Sequence, residues 1–408
     1  MLKIQKITLL FLLAITTFSC KKKDKSEIGV DPVVETHFVS ANLAVSVTKE
    51  QMQLQARAMG FGTQLNPLIN YNTDFFKIVY KTTFQGKTIE ASGLIGLPKN
   101  GPANPSMISG QHETRFLHST APSLLSISAN GVSSSATGYE VLASMGYVVV
   151  IPDYIGFGSS ENIPHPYYIR EATAAAVVDM IKAAKEYLKS KQFATSNRLF
   201  LIGYSEGGYA TLAAQREIET NPSNGLTVTG TAAGAGAFDL TTMLTEVSKS
   251  DLSYATSYIT YLMESYNTYY NWKRPLSNVY NEPYATNIPG LFNGNMDVPA
   301  IASKLTFNLK DLLQPTFRTN LTVTGQETVL KTALRNNSFF DWYPKGQTRL
   351  YHGTEDEIVS YKSSQTAFDA FKSAGATNVS LKSVSGTHTT GYLSMMADVL
   401  PWLISIDK

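Results

Sequence analysis

Three residue types that together activate a hydroxyl lie far apart in this chain: Ser205 in Gly203-Tyr204-Ser205-Glu206-Gly207, Asp356 in "HGTEDEIVS" and His388 in "SGTHTTGY". A serine hydroxyl attacks a carbonyl well only when a histidine takes its proton and a carboxylate orients that histidine. G-x-S-x-G is the sequence form of a sharp strand-to-helix turn that presents the serine at a sheet edge, with glycines where the two backbones approach. In that arrangement the partners follow in the order serine, acid, histidine. Of the six histidines, at 37, 112, 118, 165, 352 and 388, only the last two follow Ser205. His352 closes the run "TRLYHG" just before an acidic cluster, which leaves His388 as the expected base, in a loop between the last strand and the last helix. The acid is expected among Glu355, Asp356 and Glu357. Asp356 is chosen because H-G-x-x-D-x-x-V leaves Ile358 and Val359 to anchor its loop. A solvated acidic turn and a cation site are the other readings of these carboxyls, although no second ligand cluster accompanies them.

Acyl transfer also needs donors for the oxyanion. One is expected from the backbone N–H of Glu206, and the other from the loop Gln111-His112-Glu113-Thr114, with His112 and Glu113 as candidates and the donating atom left open. The glycines of "DYIGFGSS" (153–160) are read as a tight structural loop, because the Lys-Ser/Thr of a phosphate loop is missing. No metal or organic cofactor is expected.

These side chains need a sheet to place them. "SMISG", "YVVVIP", "RLFLIG", "LTVTGTAAGAGAF", "TRLYHG" and "NVSLKSV" read as strands that alternate with helical stretches. The clearest helix runs over 170–190, with Ala174, Val177, Val178, Ile181, Ala184 and Leu188 on one face. Continuous apolar strands between helices imply a mostly parallel sheet covered on both faces. Upstream, "FFKIVYKTTF" and "KTIEASGLIGLP" around Gln85-Gly86-Lys87 read as a hairpin. The first folded element is expected at Thr48, where Thr-Lys-Glu-Gln fits a capping box and Gly60 gives a stop. The alternation breaks over 241–345, a Tyr-, Asn- and Met-rich stretch too long for a simple connection and therefore expected to be an inserted helical cap. The core is accordingly assigned to 41–240 and 346–408.

The chain opens with Lys3, Lys6 and the short apolar run "ITLLFLLAITTF", the form of an export peptide over 1–19. Its only cysteine, Cys20, follows in a context that resembles a loose bacterial lipobox like those of Bacteroidetes lipoproteins. Cys20 is therefore the expected lipid attachment site and 20–40 a lysine-rich tether. The expected location is lipid-anchored, at the periplasmic or outer membrane of a Gram-negative bacterium. With no other cysteine the mature chain cannot form an internal disulfide. A charged fraction of 16% and a net charge of +2 exclude a polyelectrolyte and argue against a nucleic-acid partner.

Gly203–Gly207, D-x-x-G-x-G-x-S at 153–160, H-G-x-x-D around Asp356 and His388 in the final loop together make the chain resemble the α/β-hydrolase superfamily over essentially its whole mature length. "GYSEGGYA", "IPDYIGFGSS" and "SGQHET" are most similar to the secretory lipase group and its bacterial relatives. The resemblance implies an α/β-hydrolase fold, a triad of Ser205, Asp356 and His388, and a lid over the acyl pocket. Relatives often carry Gln-His-Gly-Thr where this chain has Gln111-His112-Glu113-Thr114, and secreted fungal members use disulfides that this chain lacks. The expected activity is hydrolysis of small-molecule or lipid-like carboxylic esters. A serine peptidase and a non-catalytic lipoprotein binding glycan or lipid are the alternatives. Dehalogenase chemistry is disfavoured because the elbow holds serine rather than aspartate.

Overall fold

The computed structural model describes residues 36–127 and 133–408. The export peptide, Cys20 and most of the tether lie outside the described residues.

In chain order the strands are β1 (Phe38–Val47), β2 (Thr73–Phe84), β3 (Lys87–Pro98), β4 (Met107–Gln111), β5 (Val148–Pro152), β6 (Leu199–Tyr204), β7 (Gly230–Gly234), β8 (Gln347–Gly353) and β9 (Val379–Val384). They form one sheet in the order β1-β2-β3-β5-β4-β6-β7-β8-β9. The pairings from β1 to β5 are antiparallel and those from β5 to β9 are parallel. Every residue of β4, β5, β6 and β7 is buried, which is why their sequences are continuous apolar or small-residue runs rather than alternating ones.

The helices are α1 (Lys49–Ala58), α2 (Glu140–Ser144), α3 (Arg170–Ser190), α4 (Glu206–Thr220), α5 (Leu240–Lys249), α6 (Thr256–Tyr269), α7 (Tyr284–Asn287), α8 (Val298–Ala302), α9 (Leu309–Leu312), α10 (Pro315–Thr322), α11 (Thr328–Asn336), α12 (Tyr361–Ser373) and α13 (His388–Ile406). Alternate strand residues separate the two faces. Val149, Ile151, Phe200 and Ile202 join α1, α2 and α13 in one cluster, whereas Val148, Val150, Leu199 and Leu201 join α3 and α4. All the apolar positions expected on the inner face of α3 are buried, and each large side chain among them stabilises the packing by roughly 1.5–3 kcal/mol. The helices from α5 to α11 lie in the connection from β7 to β8 and share a core with Tyr209, Leu212 and Ala213 of α4.

The hairpin forms as read, with Phe84 opposite Lys87 and positive φ at Gln85 (48°) and Gly86 (73°), as a two-residue hairpin turn requires. Thr48 caps α1 with the full reciprocal box. It is not the first element, however: β1 precedes it, so the tether ends before Phe38 rather than at 40. β1 is an edge strand with register shifts after Phe38 and Leu43 and only Val47 buried, and such a strand carries no clean alternation to read. The strand expected over "LTVTGTAAGAGAF" contracts to Gly230–Gly234.

Candidate active site

Ser205 follows β6 directly and is the N-cap of α4, at φ 59° and ψ −126°. A non-glycine residue holds such a conformation only where its surroundings impose it. Here its N–H donates to the Gly234 carbonyl (2.9 Å), and its own carbonyl accepts from Tyr209 N–H (3.2 Å). A Cβ on Gly207 would overlap the Gln111 carbonyl, so glycine is what allows α4 to start against the end of β4.

The Ser205 hydroxyl is 2.9 Å from Nε2 of His388, and Nδ1 of that ring is 2.7 Å from Oδ2 of Asp356. The Asp356 side chain is buried; Oδ1 accepts the N–H groups of Ile358 (3.0 Å) and Val359 (2.8 Å), and Oδ2 lies 3.3 Å from Nε2 of His352. Burial alone would raise the Asp356 pKa, but the hydrogen bonds from His352 and His388 outweigh it and hold the carboxyl well below the usual carboxylate range. A charged Asp356 makes Nδ1 of His388 the donor, leaving the Nε2 lone pair toward the serine proton. His388 is not a loop residue, as read from sequence, but the first residue of α13, where Thr387 caps the helix. Its backbone N–H donates to Oε2 of Glu357 (3.0 Å), so that carboxylate holds the helix start while the Glu355 side chain is exposed.

The 111–114 loop lies beside the elbow, but the His112 ring does not face it as a donor. Its Nδ1 is 2.6 Å from the Glu113 carbonyl and its Nε2 is 3.4 Å from that of Asp153. Burial, reinforced by Arg115, pushes the His112 pKa down to about 3. The Glu113 side chain is about half exposed and pairs with Arg115 at 3.1 Å. The loop can therefore offer backbone N–H groups, with the His112 ring and the Arg115 ion pair fixing its path.

Ser205 opens into a crevice of about 20 Å³ lined by Tyr167, Tyr168, Met243, Tyr258, Leu262 and Val359. A larger cavity, about 350 Å³, lies beyond the stacked Tyr167 and Tyr261 rings (centroids 4.7 Å apart) and touches His165 and Glu264.

Two partners carry no assignment from sequence. His352 reads there as a strand end, yet its ring is buried between Ser364 Oγ (2.7 Å) and the Val359 carbonyl (2.8 Å), where it braces the Asp356 loop. Its spacing in H-G-x-x-D is the available signal. His165 pairs with the buried Glu206 side chain at 2.8 Å, and nothing in their separate motifs announces that meeting.

The secretory lipase family model matches residues 129–406, more than half of the chain. Among solved structures, a Legionella pneumophila protein provisionally classed as a hydrolase is 26% identical at a TM-score of 0.82, with 91% of this chain and 98% of that one covered. The rice cell wall degrading esterase LipA of Xanthomonas oryzae is 23% identical at a TM-score of 0.72, with 91% and 96% covered. Candida antarctica lipase A in its closed state is 18% identical at a TM-score of 0.66, with 91% and 82% covered. No curated protein matches the sequence. Among the described residues no helix is long and apolar enough to cross a membrane. By its fold and by the family match, the chain belongs to the secretory lipase family of α/β-hydrolases and is a carboxylic ester hydrolase.

Proposed function

We propose that Ser205, His388 and Asp356 carry out ester hydrolysis through an acyl-enzyme. His388 Nε2 takes the proton as Ser205 Oγ attacks the carbonyl carbon, and returns it to the leaving alkoxide as the tetrahedral intermediate collapses. Water then repeats the sequence on the acyl-serine, and Asp356 stabilises the imidazolium formed each time. The Glu206 N–H and a backbone N–H of the 111–114 loop serve the oxyanion. The observation that carries this reading is the unbroken chain of contacts from Ser205 to His388 to Asp356, at 2.9 and 2.7 Å.

The apolar and tyrosine-rich lining of the crevice favours an apolar acyl or alcohol group. At about 20 Å³ the crevice holds little more than a water molecule, so a bound ester displaces side chains of α5 and α6, and we assign 241–345 as a cap over the site. Hydrolysis of p-nitrophenyl esters from acetyl to palmitoyl, compared with Ser205→Ala, tests the reading. Activity abolished in the variant supports it, and activity retained there rejects Ser205 as nucleophile. Cys20 is proposed to carry a lipid that anchors the exported enzyme to the periplasmic or outer membrane. Cys20→Ser is then expected to move the protein from the membrane to the soluble fraction.

A further inference from the structure

Beside the elbow lies a buried pair that the proposed steps leave unused. The Glu206 side chain is 2% exposed, and its Oε1 is 2.8 Å from Nε2 of His165, itself 4% exposed. Nδ1 of the same ring is 2.6 Å from the Ile155 carbonyl. A carbonyl can only accept, so Nδ1 carries hydrogen, and the contact between Nε2 and the carboxyl then needs one further proton between them. Whether that proton sits on nitrogen or on oxygen, the pair has no net charge.

The loop "DYIGFGSS" supplies the carbonyl. Asp153 is buried, accepting from Ser123 N–H at 2.7 Å and from the Ser92 hydroxyl at 2.6 Å. Tyr154 and Gly156 take positive φ values of 66° and 98°. A Cβ on Gly156 would come within 2.6 Å of His165 Cα, so the glycine lets the two backbones meet. The rings of Tyr154, Phe157, Tyr167 and Tyr261 surround the imidazole at centroid distances of 5.2 to 6.2 Å.

We propose that His165 is a positioning residue for ester hydrolysis: held by the Ile155 carbonyl, it cancels the charge of the Glu206 carboxylate at the residue whose N–H receives the developing oxyanion. This rests on the reading that the Glu206 N–H is an oxyanion donor. A carboxylate left uncompensated there opposes the negative charge that forms in the transition state, and low-dielectric surroundings strengthen that opposition. The D-x-x-G-x-G-x-S segment is thus tied to the chemistry through Ile155 and His165.

The test compares His165→Gln, Glu206→Gln and the double variant in the enzyme otherwise intact, with Ser205→Ala beside them. In His165→Gln the introduced amide can offer Glu206 Oε1 an N–H but brings no charge. The kcat of this variant is expected to fall about 10- to 100-fold with KM within about threefold. Glu206→Gln removes the charge, keeps the backbone N–H and can donate to His165 Nε2, so its loss of kcat is expected to be smaller than that of His165→Gln. The double variant is neutral again and is expected to recover most of the His165→Gln loss in kcat without a matching recovery in melting temperature, whereas a purely structural coupling of this hydrogen-bonded pair appears in both. Losses that add in the double variant, or a His165→Gln enzyme within about threefold of wild type, overturn the proposal. Should His165→Gln alone fail to fold, the double variant decides against Glu206→Gln, because a kcat more than about tenfold below that of Glu206→Gln shows a role of His165 that does not involve the charge of Glu206. Ser205→Ala separates the two levels: activity retained in it rejects the triad itself, whereas its inactivity beside failed charge predictions rejects only the role of His165.

Discussion

Replacing Asp356 with asparagine keeps the shape of the acid and removes its charge, and the surroundings dictate how the amide must sit. The Oδ1 position meets two N–H donors, Ile358 at 3.0 Å and Val359 at 2.8 Å, so the amide oxygen takes that place. The NH₂ group is left facing Nδ1 of His388, where Oδ2 stood at 2.7 Å. An amide N–H there donates to Nδ1, which moves the ring hydrogen to Nε2, and a protonated Nε2 cannot accept the serine proton. The same wrong tautomer costs about 10⁴ in kcat in the serine protease triad, or about 5 kcal/mol of transition-state stabilisation. Hydrolysis of p-nitrophenyl butyrate by Asp356→Asn is therefore expected to show kcat reduced by about 10³ to 10⁴, with KM within about threefold. The variant is expected to fold, because both backbone N–H bonds persist. The depressed folded pKa of Asp356 means that its ionic contribution to stability is complete above the ordinary carboxyl range and is lost only as pH falls below it. The wild-type carboxylate is therefore charged throughout an assay window of about pH 5 to 9. A variant within about tenfold of wild type would refute the idea that Asp356 sets the tautomer of His388.

Other substitutions probe the surroundings of the triad. Gly207→Ala places a Cβ against the backbone carbonyls of Gln111 and His112, which have no rotamer in which to retreat. It should cost about 2–3 kcal/mol of stability and at least about tenfold in kcat, and an unchanged melting temperature would count against the close approach of α4 and β4. Burial raises the pKa of Glu264 to about 7, and its Oε1 has no hydrogen-bond partner among the described residues. The native state therefore holds this proton more tightly than the unfolded chain, and the carboxyl destabilises increasingly as pH rises from about 4.5 through about 7. Discounted for solvent access, Glu264→Gln should gain about 1–2 kcal/mol near pH 8 and nearly nothing near pH 4.5 in chemical denaturation; an equal gain at both would reject the assignment. Tyr258→Ala removes one wall of the crevice beside Ser205. The ratio of octanoyl to acetyl ester hydrolysis should rise by about tenfold, and an unchanged ratio would place the acyl chain elsewhere.

How much of this is legible in the sequence depends on whether the signal is local. The elbow is, because Gly203 and Gly207 face each other across one turn, although the second reason for Gly207, the Gln111 carbonyl, comes from β4. The buried parallel strands are legible for the same reason, since full burial writes an unbroken apolar run. β1 escapes because an exposed, bulged edge strand makes no such demand on its residues. The His112 ring is a candidate for the oxyanion by proximity in sequence, yet its orientation is set by the Asp153 and Glu113 carbonyls, one of which arrives from another strand end. The Glu206 and His165 pair is least accessible of all: one residue opens α4, the other lies in the loop before α3, and neither side chain announces the other.

Sheet register links the local signals to the site. Gln111 at the end of β4 pairs with Gly203 of β6, and Gly234 of β7 pairs with both Tyr204 and Tyr351. These pairings bring the ends of four strands to one edge, where side chains 183 and 32 residues apart come within hydrogen-bond reach. In β8, Leu350 and Tyr351 enter different core clusters, so their order determines which face His352 occupies. A slip of β8 by one residue would turn Leu350 and Tyr351 to the wrong faces, take His352 away from Ser364 and Val359, and carry the Asp356 loop about 3.3 Å along the strand. That displacement exceeds the 2.7 Å contact it would have to preserve with His388. The same alternation of apolar side chains that closes the core on both faces of β8 therefore also sets the position of the acid.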